Sequence, residues 1–199
     1  STNSATVTVD ICPTKQIEVV ATPAESVLGD VRRGYTLESL DVNPNTVMIA
    51  ADQSLLDTLD HLSIEPVDVS GADRTFTQIA NIAMLKDIKN LSSDQVSVTV
   101  NIVEQVQTRR YTNLEASLTG LSDGLSASWR SPRLEVKLSG PYSQVQSLSR
   151  NDLIAWVDLT GYGAGTYDLP VQVTIDNYPD LSITVDPATV RVTLTEKAS

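Results

Sequence analysis

His61 is the only histidine among 199 residues, and Cys12 is the only cysteine. Any Ser-His-Asp relay or His-based metal site would have to be built on His61. It follows Asp60 at the end of a short Leu-rich segment with helical spacing, where a cationic side chain suits a helix C-terminus. A structural place is the expectation for His61, and zinc sites made of Cys and His are excluded. Asp68 and Asp158 occupy matching places in Val67-Asp68-Val69-Ser70-Gly71 and Val157-Asp158-Leu159-Thr160-Gly161. As a pair they could do acid–base work, but that chemistry needs a cleft and a displaced pKa. A carboxylate two residues before Ser or Thr, with Gly next, is better suited to closing a turn through local hydrogen bonds. The run Gly161-Tyr162-Gly163-Ala164-Gly165 lacks the Lys-[Ser/Thr] pair and the following helix of a phosphate loop, and reads as a hairpin turn. No catalytic, cofactor-binding or metal-ligating residue is expected, and no cofactor.

The two aspartate motifs close a longer repetition. Val47 to Gly71 returns about 90 residues later as Val136 to Gly161. In both copies an alternating run (Val47, Ile49; Val136, Leu138) leads through a small-residue or Pro turn into a short helix. There Leu56 and Leu59 match Val145 and Leu148. A period of this size makes the chain a tandem repeat of domain-sized copies, predicted over 12–104 and 105–199. Val7-Thr8-Val9-Asp10-Ile11 recurs as Val98-Thr99-Val100-Asn101-Ile102 and Val190-Arg191-Val192-Thr193-Leu194. Since the later two end copies, residues 1–11 are expected to carry the closing strand of a preceding copy. The chain then reads as a slice of a longer array, and Ser1-Thr2-Asn3-Ser4 does not read as a natural start.

Period-2 alternation with turn signals between short runs predicts mostly β domains built of antiparallel strands, each with one short helix. Strand candidates in the first copy include Ile17 to Val20, the run through Val47 and Ile49, and Phe76 to Ile82. Those in the second include Leu114 to Leu118, Leu134 to Leu138, Val171 to Ile175 and Leu181 to Val185. Asp52 or Ser54 is the expected N-cap of the first helix, whose apolar residues are Leu55, Leu56, Leu59 and Leu62. Gln105 to Arg110 reads as a polar linker. The pattern V-[ND]-P-x-T-V stands at both Val42–Val47 and Val185–Val190.

Composition narrows the partners. Acidic residues outnumber basic ones 25 to 14, for a net charge of −11. Residues 1–104 hold 6 basic and 15 acidic side chains, and residues 105–199 hold 8 and 10. Such a surface disfavours nucleic acid and direct adsorption to anionic lipid. Aromatics are 5% of the chain, so the cores must rest on Val, Ile and Leu, which favours thin sheets over a ring-lined pocket. Trp129, Trp156, Tyr142 and Tyr162 all lie in the second copy, and exposed members of this set would mark a protein contact. Trp156 aligns with Pro66, out of phase with Val157, and is expected to face outward. A single cysteine allows no intrachain disulfide, Ile11-Cys12 is unlike a lipoprotein cleavage site, and no run of about 20 apolar residues spans a membrane.

The combined pattern is V-x-[IL], a short Leu-rich helix, V-D-[VL]-[ST]-G, an apolar alternating run and V-x-V-T. It resembles the YbbR domain over nearly the whole chain, through Val47, Ile49, Leu56, Val67–Gly71 and Val96–Val100, and through Val136, Leu138, Val145, Val157–Gly161 and Val190–Leu194. These are core and turn positions, so the resemblance speaks first for fold. It implies an extracytoplasmic array behind one upstream membrane helix. It also implies a membrane-bound diadenylate cyclase as partner, whose cyclic di-AMP output the array regulates. The family fold is similar to the C-terminal domain of a 5S-RNA-binding ribosomal protein, but the charge of −11 opposes RNA binding.

The favoured expectation is thus a non-enzymatic binding and regulatory module. Its rival is a cell-surface spacer or adhesin made of Ig-like sandwiches, against which the Leu-rich helix and the V-D-[VL]-[ST]-G motif argue, since such sandwiches normally contain strands only.

Overall fold

The computed structural model describes residues 12–176, 178 and 180–197. The expected strand at Val7–Ile11 lies outside them. The chain divides after Val103 into two compact units, each mostly β with its own core.

In the first unit the strands are β1 (Thr14–Val20), β2 (Val27–Leu28), β3 (Tyr35–Asn43) and β4 (Thr46–Ala51), then β5 (His61–Ser63), β6 (Val67–Asp68), β7 (Phe76–Asn81), β8 (Ile88–Leu91) and β9 (Gln95–Glu104), with helix α1 (Gln53–Thr58) after β4. The second unit has β10 (Val106–Leu114), β11 (Ala116–Thr119), β12 (Leu125–Trp129) and β13 (Leu134–Pro141), then β14 (Ile154–Asp158), β15 (Gly165–Pro170), β16 (Gln172–Thr174), β17 (Ser182–Asp186) and β18 (Thr189–Glu196), with α2 (Tyr142–Ser147) after β13.

The units share most of their wiring, β5 in the first and β16 in the second standing outside the correspondence. β1-β4-β8 corresponds to β10-β13-β17, β2-β6 to β11-β14, and β3-β9-β7 to β12-β18-β15. Ile17 pairs with Val47 as Tyr111 pairs with Val136. Ile79 faces Ser97 as Asp168 faces Arg191. Alternation delivers the core: Val47, Ile49, Val96, Val98 and Val100 are buried in one unit, and Val136, Leu138, Val190, Val192 and Leu194 in the other. Tyr111 is the only ring among the buried hydrophobic residues of the described chain, so these cores rest on aliphatic side chains. Each fully buried Val, Leu or Ile contributes about 1.5–3 kcal/mol.

Several expectations are corrected. The ladders are not all antiparallel: β1/β5, β2/β6 and β11/β14 run parallel. A parallel pair needs a crossover rather than a hairpin, and the helix with its flanking strands supplies one. Gln105 to Arg110 is no linker, because β10 begins at Val106. Its polar letters belong to an edge strand in which Tyr111 and Leu114 alone are buried. Leu114 accordingly ends β10 and does not open the next strand. Leu62 belongs to β5, where it is buried, so the helix stops before the apolar spacing does. The two V-[ND]-P-x-T-V patterns are not equivalent in the fold. Val42–Val47 joins β3 to β4, whereas Val185–Val190 joins β17 to β18. The pattern marks a tight strand-to-strand turn, not a position in the repeat.

One break distinguishes the copies. Pro66 has no amide hydrogen to give a ladder, and in the first unit the chain is split there into β5 on β1 and β6 on β2. Trp156 occupies the aligned place in the second unit, and β14 runs unbroken between β11 and β16.

Candidate functional site

The residues singled out for chemistry resolve into turns and caps. Asp68 Oδ1 accepts from the Ser70 amide at 2.9 Å. Asp158 Oδ1 accepts from the Thr160 amide at 2.9 Å and from its hydroxyl at 2.6 Å. These are Asx turns. In each the downstream hydroxyl, and then the amide, holds the carboxyl below the ordinary aspartate range. Such a group is a poor proton donor or acceptor near neutrality. Gly71 and Gly161 follow with φ of +70° and +82°, a conformation that glycine alone adopts without strain. The aspartates close separate turns in separate units.

The partner of each turn was not legible as such. Gly29 and Gly120 stand at equivalent places after β2 and β11, with φ of +78° and +72°. A Cβ would lie 2.0 Å from Ser70 Oγ at Gly29, and 2.2 Å from Thr160 Oγ1 at Gly120. Backbone bonds run alongside, from Val69 N to Leu28 O at 2.9 Å and from Leu159 N to Thr119 O at 2.8 Å. A Gly about 40 residues upstream of V-D-[VL]-[ST]-G is the sequence signal for this seat.

His61 is an exposed residue of β5, beside Glu18 in the parallel register, and not the cation at the helix end. That role falls to Lys15, whose Nζ donates to Leu56 O at 2.6 Å and Leu59 O at 3.0 Å. The equivalent Arg109 donates from Nη1 to Leu148 O at 2.9 Å, lies 4.9 Å from the Tyr111 ring centre, and is joined by the Tyr111 hydroxyl on the same carbonyl at 2.9 Å. A helix of six residues is too short to persist unaided. The buried Leu56 or Val145 and this strand-borne cation hold each one down. Neither proposed N-cap makes a side-chain cap bond. Asp52 occupies the position, but its carboxylate accepts from Lys89 Nζ at 2.6 Å.

Gly161 to Gly165 turns into β15 rather than into a helix. Tyr162 and Tyr167 pack across it with ring centres 4.8 Å apart. Trp129 is half-buried against the second core. Trp156 lies on the outer side of β14, half-buried, and donates from Nε1 to Thr174 Oγ1 at 3.1 Å. The described residues contain no group of three or more His, Cys, Asp or Glu placed to hold a metal ion, and no helix among them is long and apolar enough to cross a membrane.

Fold and side chains together define a tandem β-repeat protein whose distinctive residues serve turns, caps and surfaces. The model of the family described as YbbR-like protein matches residues 23–102 and 116–194, and the chain belongs to that family. The CdaA regulatory protein CdaR of Bacillus subtilis is 18% identical over 148 residues, covering 73% of this chain. The chain spans 30% of that relative's length. Among solved structures, a YbbR-like domain from Listeria monocytogenes is 31% identical, with a TM-score of 0.43, covering 47% of this chain and 97% of its own. A YbbR family protein from Desulfitobacterium hafniense is 25% identical, with a TM-score of 0.37 over 46% and 98%.

Proposed function

We propose that this chain is a non-enzymatic, extracytoplasmic binding module of a membrane-anchored protein, and that it regulates a membrane diadenylate cyclase. The observation that carries the reading is the similarity, over 73% of the chain, to a protein named for regulating CdaA. Family membership over both copies supports it. So does the use of Asp68, Asp158 and Lys15 in turns and caps. No residue is given a catalytic, cofactor or metal role. The repeats are taken as 12–104 and 105–199.

The test uses the natural full-length protein, with its membrane segment, co-expressed with the cyclase, beside a form lacking these 199 residues. Cyclic di-AMP and co-purification are both read. The deletion is expected to change both. If neither changes, the reading fails and the domains are surface spacers.

A further inference from the structure

We propose that the outer face of β14, with the recess beside it, is the surface on which the regulated cyclase docks, through a segment carrying an apolar side chain next to a Lys or Arg. This rests on the regulatory reading above and adds a location and a chemistry to it.

Ile154 and Trp156 are alternate residues of one strand and share its outer side, while Ala155 and Val157 point into the core. Ile154 is 56% exposed. The Trp156 indole has spent its one donor on Thr174, so what it offers a partner is apolar ring. An exposed aliphatic side chain beside an indole ring offers a partner an apolar strip, and Trp is over-represented among the residues that dominate binding energy. Ile154 also forms a wall of a recess of about 380 Å³, completed by Ser147, Leu148, Asp152, Asp176 and Tyr178 among others.

The charge of that recess selects the occupant. Its charged lining residues are Asp152 and Asp176, with no Lys or Arg among them. Asp152 accepts the Ser149 amide and hydroxyl at 2.7 Å each, both on Oδ2. Those bonds hold its carboxyl below the ordinary range, and Oδ1 is left for a cation. Neither aspartate forms an ion pair among the described residues, although Asp52, Asp73 and Asp168 do. An anionic recess beside an apolar strip complements a basic and apolar segment, and repels nucleic acid and anionic lipid. The first unit lacks the feature: Pro66 breaks its strand, and Ile64 is buried.

The experiment uses the full-length protein co-expressed with the cyclase, comparing wild type with Ile154→Glu, Asp176→Lys and, as a control on the other unit, the exposed Ile79→Glu. All three positions are solvent-exposed, and thermal unfolding checks that each variant is folded. Loss of a central contact of this kind is expected to cut co-purified cyclase about tenfold or more for the first two variants and leave the control unchanged. Wild-type association should also weaken as salt is raised. If wild type binds and all three variants bind equally, the surface is wrong while the regulatory reading stands. If wild type does not bind, both fall. A self-association that Ile154→Glu abolishes would assign the face to a second copy of this chain and overturn the proposal.

Discussion

Gly120→Ala isolates the seat of the Asp158 turn. Alanine there must adopt φ near +72°, which costs an L-residue roughly 1–2 kcal/mol. Its Cβ would also stand 2.2 Å from Thr160 Oγ1, 2.8 Å from Asp158 Oδ1 and 2.9 Å from Thr160 N. One of these neighbours is backbone, so the overlap cannot be relieved by a rotamer change alone, and overpacking of this kind adds about 1–3 kcal/mol. Gly124 supplies the control, with φ of +86° and open space around its Cβ position. Gly124→Ala should therefore cost the backbone term only. Both tryptophans lie in the second unit, so their fluorescence during urea unfolding reports that unit without its neighbour. The midpoint is expected to fall further for Gly120→Ala, corresponding to an extra loss of roughly 1–3 kcal/mol in unfolding free energy at unchanged slope, or on the order of 4–8 °C in Tm per kcal/mol. The double variant Gly120→Ala, Thr160→Ala should cost less than the two single changes added, because the nearest obstructing atom is gone. Equal losses at Gly120 and Gly124 would refute the seat.

Arg109→Met should lower the same fluorescence-monitored stability by about 1–2 kcal/mol, through the lost bond to Leu148 O and the lost contact with Tyr111. Arg109→Lys should be nearly neutral, since Lys15 performs the role in the first unit; equal losses for both would count against the cap. Acid titration should show a shared response. The carboxyls of Asp68, Asp152 and Asp158 all sit below their ordinary value through hydroxyl and amide donors. Groups depressed in the folded state stabilise it fully above their unfolded pKa of about 4, and that stabilisation is lost as pH falls through the folded values. Unfolding midpoints should thus be flat from neutrality to about pH 5 and decline below, with a shallower decline in Asp158→Ala.

Local patterns were the legible part of the sequence. Alternation placed most strands, and V-D-[VL]-[ST]-G revealed both Asx turns because donor and acceptor lie two residues apart. What escaped was set by residues distant in the chain. Gly29 and Gly120 matter only because a turn about 40 residues away packs onto them. Lys15 and Arg109 are ordinary strand cations until the fold brings the ends of α1 and α2 to them. Gln105 to Arg110 misled because an edge strand with one face in water has the letters of a linker. Pro66 and Trp156 align in the sequence, yet only the ladders show that one stands where a strand is broken and the other within a strand paired on both sides.

The position of β9 and β18 bears on how such a chain is made. Each is the last strand of its copy to leave the ribosome, and each lies in the middle of its sheet, between β3 and β7 or between β12 and β15. Until it arrives, its two neighbours have no common partner, and the copy cannot close. Long-range pairing of this kind folds slowly. A copy therefore stays open through almost the whole of its own synthesis and is committed by its final residues, so a tandem array matures one copy at a time.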